Sequence, residues 1–377
     1  MNNRTEYLDL LTATGLCFSA RIPVLLWGDP GNGKTAVIES ARDQGWHVET
    51  LICSHYEPSD FAGLPVVRPE GGVEFAPPAW AQRLATCDGP AVAFLDEFSC
   101  SPPSVQAAAL RPLTHYQVGA LQLPSTVSWG AAANPADIAA AGWELAPPTA
   151  SRFVHLDWGA MPIEVYTDSI VTGDWPAIPL PAIPVSYPAA LAAARASVAG
   201  YLRARQSQLS ALPKDAAGRG RAFPTPRTWD YAARLLALAK ATGAGAEVVR
   251  LLVFGAIGAP AGHEFLVWVD AQDLPDPELL LAGGATEVFA SLRTDRVYAC
   301  LASVLGAVSA TCTPERWTAA IKVCAAAAAG GHIDAAVPVV RTLVRDTMRP
   351  EGTPPPPELR VFAGTLALAG LLGKSAA

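Results

Sequence analysis

Eight residues close to the N-terminus have the types and the spacing needed to bind phosphate groups. They read GDPGNGKT and fit the pattern G-x-x-x-x-G-K-[ST]. In this pattern the glycines let backbone N–H groups point at phosphate oxygens, the lysine reaches the β- and γ-phosphates, and the hydroxyl can hold Mg²⁺. We therefore predict a nucleotide-binding loop with Thr35 as a magnesium ligand, made of Gly28, Asp29, Pro30, Gly31, Asn32, Gly33, Lys34 and Thr35.

The lysine of this loop is unusual for its position in the chain. The protein has five lysines against 22 arginines, and Lys34 is the only lysine among the first 213 residues. A chance glycine turn before a helix would not require a lysine at this position. The rarity of lysine therefore favours phosphate binding over a structural turn.

Two adjacent carboxylates follow a second apolar segment. Asp96 and Glu97 come directly after AVAFL, which spans 91–95 and has the composition of a buried strand. The carboxyl end of a parallel strand lies at the sheet edge where ligands bind. We predict that Asp96 holds Mg²⁺, largely through water, and that Glu97 polarises the attacking water. The alternative is a pair of solvated acids after a strand.

Three further residues are candidates because of the segments that contain them. Asn134 ends the apolar segment WGAAANP, where it can position the lytic water, although Asn-Pro also begins many turns. Arg152, in TASRF, is a candidate to reach the nucleotide of a neighbouring subunit. Arg227 follows a proline at a predicted helix start. From the residues alone, it either bends over the phosphates from a second domain or is an ordinary first-turn arginine.

Other residues of chemically active type have simpler interpretations. His115 and His155 have no histidine or cysteine partner at metal-ligand spacing, so we expect no metal site from them. The seven cysteines contain no C-x-x-C pair and are expected to be reduced and mostly buried. We expect packing roles, not base stacking, for four tryptophans: Trp80, Trp129, Trp143 and Trp158.

The elements that must position these residues indicate an α/β fold. Short apolar strands without alternation are predicted at 23–27, 46–53, 91–95, 126–133 and 153–156. Helices are predicted at 6–19, at 34–44 and after Pro102-Pro103. Such strands separated by helices predict a parallel sheet that is covered on both faces.

The composition changes after this region. Residues 174–188 contain five prolines in fifteen positions and predict an extended linker. We therefore predict a nucleotide-binding core over 1–173, the linker over 174–188, a helical lid over 189–275 and a C-terminal helical extension over 276–377. The later helices are predicted at 189–210, 226–241, 245–258, 262–272, 287–309, 314–329, 334–347 and 358–372.

Composition excludes several classes of protein. Of the 377 residues, 51% are hydrophobic and 16% are charged, which excludes disorder over most of the chain. The net charge of −7 disfavours non-specific nucleic-acid binding. The N-terminal residues lack the pattern of a secretory signal, and the longest apolar runs are shorter than the ~20 residues of a membrane span. We expect a soluble, cytoplasmic protein without a membrane segment.

The order of these motifs resembles the MoxR-type AAA+ ATPases over about residues 5–272. The matching segments are GDPGNGKT, AFLDE, AAANP, ASRF and, after the proline-rich linker, TPRTWDYAARLL. Residues 59–80, with a turn at Gly71-Gly72, resemble the hairpin that this clade inserts into its second helix. Residues 116–126 resemble its further hairpin before the sensor strand.

The resemblance implies a P-loop AAA+ core followed by an all-helical lid, in a hexameric ring that binds ATP and Mg²⁺ between subunits. It implies that Glu97 is the catalytic base, Asn134 a sensor, Arg152 a finger acting in trans and Arg227 the lid sensor. Members work with a von Willebrand factor A domain partner and remodel or activate client proteins. The chain departs from the family at His115-Tyr116, where members often have an acidic–arginine pair, so a second arginine finger is not assigned.

Two other functions fit the same motifs. One is a GTP-using ring that resembles the McrB restriction motor, because the contacts that discriminate between bases cannot be read from the sequence. The other is a nucleotide-gated regulatory switch with little turnover, against which Glu97 and Arg152 argue. A P-loop kinase fits least well, because of the Asp-Glu pair and the long helical region.

Overall fold

The chain is described here from a computed structural model, over residues 3–135, 143–271, 275–284, 286–345 and 347–368. It divides into two compact units. The first comprises Met1–Pro184 and Ser210–His263, and the second comprises Val185–Leu209 and Glu264–Ala377. These units cut across the predicted lid, because residues 210–263 group with the N-terminal residues whereas 185–209 do not.

The described strands form one five-stranded sheet and two hairpins. The strands are β1 Val24–Trp27, β2 His47–Ile52, β3 Leu64–Val67, β4 Val73–Ala76, β5 Ala91–Asp96, β6 Gln117–Val118, β7 Leu121–Gln122, β8 Val127–Ala133 and β9 Val154–Asp157. The sheet is parallel and has the order β2-β5-β8-β1-β9, and the antiparallel hairpins are β3-β4 and β6-β7.

Helices account for most of the remaining described chain. In the first unit they are α1 Arg4–Ser19, α2 Lys34–Glu39, α3 Pro58–Ala62, α4 Ala79–Ala85, α5 Pro103–His115, α6 Pro147–Ala150, α7 Ile163–Thr172, α9 Ala216–Arg219, α10 Pro226–Ala241 and α11 Ala246–Ile257. In the second they are α8 Tyr187–Ala204, α13 Pro277–Leu281, α14 Thr294–Ala310, α15 Pro314–Ala329, α16 Ile333–Leu343 and α17 Ala363–Leu368. The division between the units falls within α12 Ala259–Asp270.

The predicted α/β class with a parallel sheet is confirmed. Every residue of β1 and β8 is buried, which explains why these strands show no alternation of polar and apolar side chains. Gly130, in the middle of β8, lies so close to Phe18 and Phe94 that an added Cβ would be about 3.0 Å from the Phe18 ring. The glycine therefore lets α1 pack closely on the sheet.

Strand order determines which chain segments meet at one edge of the sheet. Because all five strands are parallel, their carboxyl ends share that edge. Strand β8 pairs with β5 on one side and with β1 on the other. Asn134, directly after β8, is therefore placed between the acidic pair that ends β5 and the glycine-rich loop after β1.

Some predicted helices differ from the observed ones. The predicted helix 34–44 is α2 followed by a 3-10 helix over Ser40–Gln44, which ends at Gly45 with a φ of 80°. The helix predicted at 287–309 starts later, at Thr294, because Thr286–Ala290 forms a 3-10 helix that buries Phe289. The helix predicted from 189 starts at Tyr187, two residues inside the predicted linker.

Three predicted helix ends involve residues that the structure does not describe. Residue 272 and residues 369–372 lie outside the described part of the chain, as does 346 within the predicted helix 334–347. The described part of the last segment is a 3-10 helix, Pro357–Phe362, followed by α17. Among the described residues, no helix is both long and apolar enough to cross a lipid bilayer.

The second unit is helical and has its own apolar core. Trp317 is fully buried there and its indole N–H donates to the Leu343 carbonyl at 2.8 Å. Helices α8 and α14 approach closely at Gly306, where an added Cβ would lie 2.3 Å from the Cβ of Ala192. Small side chains on both helices therefore permit this packing.

Candidate nucleotide-binding site

The glycine-rich loop has the backbone conformation that a phosphate-binding loop needs. Gly31 and Gly33 have φ values of 81° and 77°, in the left-handed region, and Gly33 is the N-cap residue of α2. A Cβ added to either glycine would meet no atom within 4 Å. Glycine is therefore required here for its backbone freedom and not for lack of space.

Trp158, just after β9, supports the loop from the neighbouring strand. Its indole N–H donates to the Asn32 carbonyl at 2.9 Å, and a Cβ on Gly28 would lie 2.1 Å from its backbone oxygen. The side chain is 2% exposed. The packing role expected from the sequence is observed, and the hydrogen bond to the loop is an additional contact that tryptophan content alone does not indicate.

The Lys34 ammonium is buried at the start of α2. It donates to the backbone carbonyls of Gly28 at 2.6 Å and Asp29 at 2.8 Å, and to Oδ1 of Asn134 at 3.3 Å. Burial lowers the pKa of Lys34, and the nearby carboxylates of Asp96 and Asp29 partly offset this effect. These three acceptors hold the Lys34 ammonium beside the glycine-rich loop.

Thr35 and Asp96, the two predicted magnesium ligands, are hydrogen-bonded to each other. The Thr35 hydroxyl donates to Oδ2 of Asp96 at 2.6 Å. The other carboxylate oxygen, Oδ1, accepts the backbone N–H of Glu97 at 2.9 Å. Hydroxyl and carboxylate oxygens are ligands that Mg²⁺ prefers. The donor set therefore fits a bound Mg²⁺.

Glu97 has a strained backbone and a partner that the sequence analysis missed. Its φ is 54°, a left-handed conformation that costs a non-glycine residue about 1–2 kcal/mol. Such strain is concentrated at functional sites. The Ser54 hydroxyl donates to Oε2 of the Glu97 carboxylate. Ser54 follows β2, and its place at the carboxyl edge of the sheet is the signal that identifies it.

Ser99 holds Asn134 through two hydrogen bonds. The backbone N–H of Asn134 donates to Ser99 Oγ at 3.0 Å, and the Ser99 hydroxyl donates to the Asn134 carbonyl at 3.2 Å. Ser99 is 1% exposed. This contact fixes the backbone from which the Asn134 amide reaches Lys34, and no sequence motif indicated it.

One cavity of about 350 Å³ lies between the loop, the acidic pair and Asn134. Most of the predicted loop residues and both acidic residues line it, as does Asn134. Its lining comprises Pro30, Gly31, Asn32, Gly33, Lys34, Thr35, Ala36, Asp96, Glu97, Ala132 and Asn134.

Arg152 and Arg227 lie beside each other and are not among the residues that line this cavity in the described chain. Arg152 donates through Nη1 to the Pro148 carbonyl, whereas its Nε is buried without a hydrogen-bond partner. Arg227 Nη1 donates to Ser151 Oγ at 3.4 Å. Burial lowers the pKa of Arg152, and the neighbouring Arg227 charge lowers it further.

A second cavity, of about 940 Å³, opens at the carboxyl end of β9. The Arg221 guanidinium lies 4.0 Å from the centroid of the Trp27 ring and pairs with Asp157 at 2.8 Å. The cavity is lined by Glu6, His155, Leu156, Asp157, Gly159, Arg221, Ala222, Glu247, Arg250, Leu251, Phe254, Gly255, Gly258 and Ala259.

The residues that we expected to have simple roles are placed as follows. Trp80 and Trp129 are buried in the core of the first unit, whereas Trp143 is 50% exposed. His115 is exposed at the end of α5. Within the described ranges, no group of three or more histidine, cysteine or acidic side chains is arranged to hold a metal.

No protein-family model matches the chain, and no curated protein matches it either. Among solved structures, the chain is similar to a protein of Cytophaga hutchinsonii described as a putative ATPase. The two are 14% identical, the match covers 71% of this chain and 93% of that one, and the TM-score is 0.40.

Proposed function

We propose that this protein binds and hydrolyses ATP at the 350 Å³ cavity, with Mg²⁺ held by Thr35 and Asp96. The observation that supports this most strongly is that three chain segments far apart in sequence line this cavity and that a fourth, at Ser54, contacts one of them. Three hydrogen bonds connect these segments: Lys34–Asn134 and Thr35–Asp96 join the loop to the asparagine and to the acidic pair, and Ser54–Glu97 joins Ser54 to the acidic pair. A structural glycine turn would not require this set of polar groups.

Each of these residues has a role that follows from its position. The Lys34 ammonium, now bonded to neutral oxygens, exchanges backbone carbonyls for phosphate oxygens. The Glu97 carboxylate accepts a proton from the attacking water, and the Asn134 amide orients that water. Bound Mg·ATP supplies the phosphoanhydride bond that is broken. The 940 Å³ cavity beside Trp27 and Asp157 has space for the base and ribose.

The arginine pair supports a site completed by a second copy of the chain. Arg152 and Arg227 lie close enough for the Arg227 charge to lower the pKa of Arg152, and neither lines the cavity of its own chain among the described residues. Such a pair fits the phosphates of a nucleotide that a neighbouring subunit holds. We accordingly propose a homo-oligomeric ring, hexameric by the resemblance to MoxR-type AAA+ ATPases.

The biological role is proposed from that resemblance alone. The protein would be a chaperone or remodeller that acts on a client protein together with a von Willebrand factor A domain protein. We expect the Glu97→Gln variant, held with ATP bound, to retain such a partner during purification from its own cells. Equal recovery of the partner with Lys34→Ala would contradict a nucleotide-dependent interaction.

Two variants test the site itself. Lys34→Ala removes the ammonium that faces the phosphates, so we expect ATP binding to be lost. Glu97→Gln keeps the shape of the side chain and removes its basicity, so we expect binding near the wild-type level with turnover abolished. A fluorescent ATP analogue measures the first effect, and phosphate release measures the second. Turnover by Glu97→Gln at the wild-type rate would overturn the assignment.

A further inference from the structure

His155 is a buried histidine with both ring nitrogens in hydrogen bonds. It lies on β9 and is 8% exposed. The Trp27 indole N–H donates to Nδ1 at 2.9 Å, and Nε2 lies 2.9 Å from the Ala150 carbonyl. An indole only donates, so Nδ1 is the acceptor and Nε2 carries the proton that it donates to Ala150. The Trp27 and His155 ring planes are nearly parallel, at 14° to each other, with centroids 6.2 Å apart, as an in-plane hydrogen bond between two rings requires.

The first of these bonds begins next to the nucleotide-binding loop. Trp27 ends β1 and directly precedes Gly28. Its ring supports the Arg221 guanidinium, which lines the 940 Å³ cavity together with His155 and Asp157. A ligand in that cavity therefore contacts the group of residues to which His155 belongs.

The second bond ends next to Arg152. Ala150 is the last residue of α6, and its carbonyl accepts both the His155 Nε2–H and the backbone N–H of Phe153. Arg152 donates its backbone N–H to Thr149 and its side chain to Pro148, both in α6. The position of the Arg152 guanidinium therefore follows the position of α6.

We infer that His155 is a positioning residue: the Trp27 bond fixes the proton on Nε2, and the Nε2–H bond to Ala150 holds α6 and thereby Arg152 in place for the nucleotide of a neighbouring subunit. The inference rests on the proposed function, because it assumes that Arg152 acts in trans. Burial lowers the pKa of His155 to about 4, so the ring is neutral at neutral pH and both hydrogen bonds are retained.

Two substitutions of His155 separate its two hydrogen bonds. In His155→Gln the amide nitrogen reaches the place of Nε2, which keeps a donor for the Ala150 carbonyl. In His155→Asn the shorter side chain reaches only the place of Nδ1, which keeps an acceptor for Trp27 and loses the bond to α6. Both variants bury one amide, so their difference reports the Ala150 bond and not burial of a polar group.

The assay mixes two inactive proteins. A Lys34→Ala subunit binds no nucleotide but presents Arg152, whereas an Arg152→Ala subunit binds nucleotide but presents no arginine. Mixing them restores ATP turnover only where the first type completes the site of the second. Each His155 variant is introduced separately into the subunit that presents Arg152 and into the subunit that binds ATP.

We expect His155→Asn in the subunit that presents Arg152 to lower the restored turnover about 10- to 100-fold, the size expected when a catalytic group is displaced by ~1 Å. We expect His155→Gln there, and His155→Asn in the ATP-binding subunit, to stay within about threefold of the starting mixture. Val154→Ala, which removes buried methyl groups from the same strand, serves as a packing control and should affect both subunits alike.

Equal losses in both subunits, equal effects of Gln and Asn, or no loss at all would overturn the inference. Failure of the proposed function itself is recognised separately. In that case the mixture of Lys34→Ala and Arg152→Ala shows no turnover before any change at His155, and the inference falls with it.

Discussion

Ser99 and Asn134 exchange two hydrogen bonds at the edge of the cavity, which makes Ser99 a test of how Asn134 is held. Ser99→Ala leaves the partly buried backbone N–H of Asn134 without this partner. We expect the free energy of unfolding to fall by about 1–2 kcal/mol. Turnover should fall about tenfold, because the Asn134 amide is displaced, while the Kd for ATP stays within about twofold. Chemical unfolding and steady-state kinetics measure these effects.

Ser101 provides a matched control for this prediction. It is fully buried and donates one hydrogen bond, to the Phe98 carbonyl at 2.8 Å, and among the described residues no hydrogen bond joins it to Asn134. Ser101→Ala should therefore lower stability without changing turnover per folded molecule. Equal loss of turnover in both serine variants would show that Ser99 acts through stability alone.

His155 makes the stability of the first unit depend on pH. Burial lowers its pKa in the folded protein to about 4, from the 6.5 expected in the unfolded chain. The unfolded chain therefore binds more protons between these values, and stability is fully present above pH 6.5 and is lost as the pH falls toward 4. Over this whole pH interval the free energy of unfolding falls by about 3 kcal/mol.

Urea unfolding at pH 7.5 and at pH 5 measures this dependence. The His155→Gln variant lacks the titrating group, so we expect its unfolding free energy to fall less over the same interval. Identical pH dependence in the two proteins would contradict a neutral, buried imidazole at this position.

At the scale of elements, the start of α2 depends on the backbone of Gly33. Its φ of 77° is left-handed, so Gly33→Ala adds about 1–2 kcal/mol of strain although the new methyl group meets no atom within 4 Å. We expect the loop to relax and the affinity for ATP to fall about 5- to 30-fold. Titration with a fluorescent ATP analogue measures this change.

Gly89 is a suitable control for Gly33. It also has open space around an added Cβ, but its φ lies outside the left-handed region. Gly89→Ala should leave the affinity unchanged. A similar loss of affinity in both variants would show that the strained conformation of Gly33 does not matter for binding.

The sequence predicted the strands and the loop well because their signals are local. Apolar runs of four to seven residues mark β1, β5 and β8, and a glycine pattern marks the loop between β1 and α2. Strand order is a long-range property, and no local pattern indicates that β8 lies between β1 and β5.

Ser54 and Ser99 were missed for a related reason. A single serine belongs to no motif with a recognisable spacing. The partner of Ser54 is Glu97 and that of Ser99 is Asn134, and both partners lie far along the chain from their serine. Both serines can be found only once the sheet edge that gathers these segments is known.

At the scale of the whole molecule, the chain passes from the first unit to the second and back before it ends in the second. The proline-rich segment 174–188 indicated a change of structure, but composition cannot show that 210–263 groups with the N-terminal residues. Arg227 belongs to this returning segment, which explains how it lies beside Arg152 in the same unit.

The proposed assembly also belongs to this scale, because a site completed by Arg152 of another subunit exists only in an oligomer. The activity of such a site depends on how many chains are associated. A site contained within one chain would have an activity per chain that does not change with concentration.

Steady-state hydrolysis of ATP and GTP against protein concentration, with Glu97→Gln as the blank, tests the central claim most directly. We predict ATP turnover per chain that rises with concentration and then levels off as the ring forms. Turnover of GTP in preference to ATP would contradict the assignment of the nucleotide. The absence of turnover above the blank at every concentration would contradict the proposed ATPase.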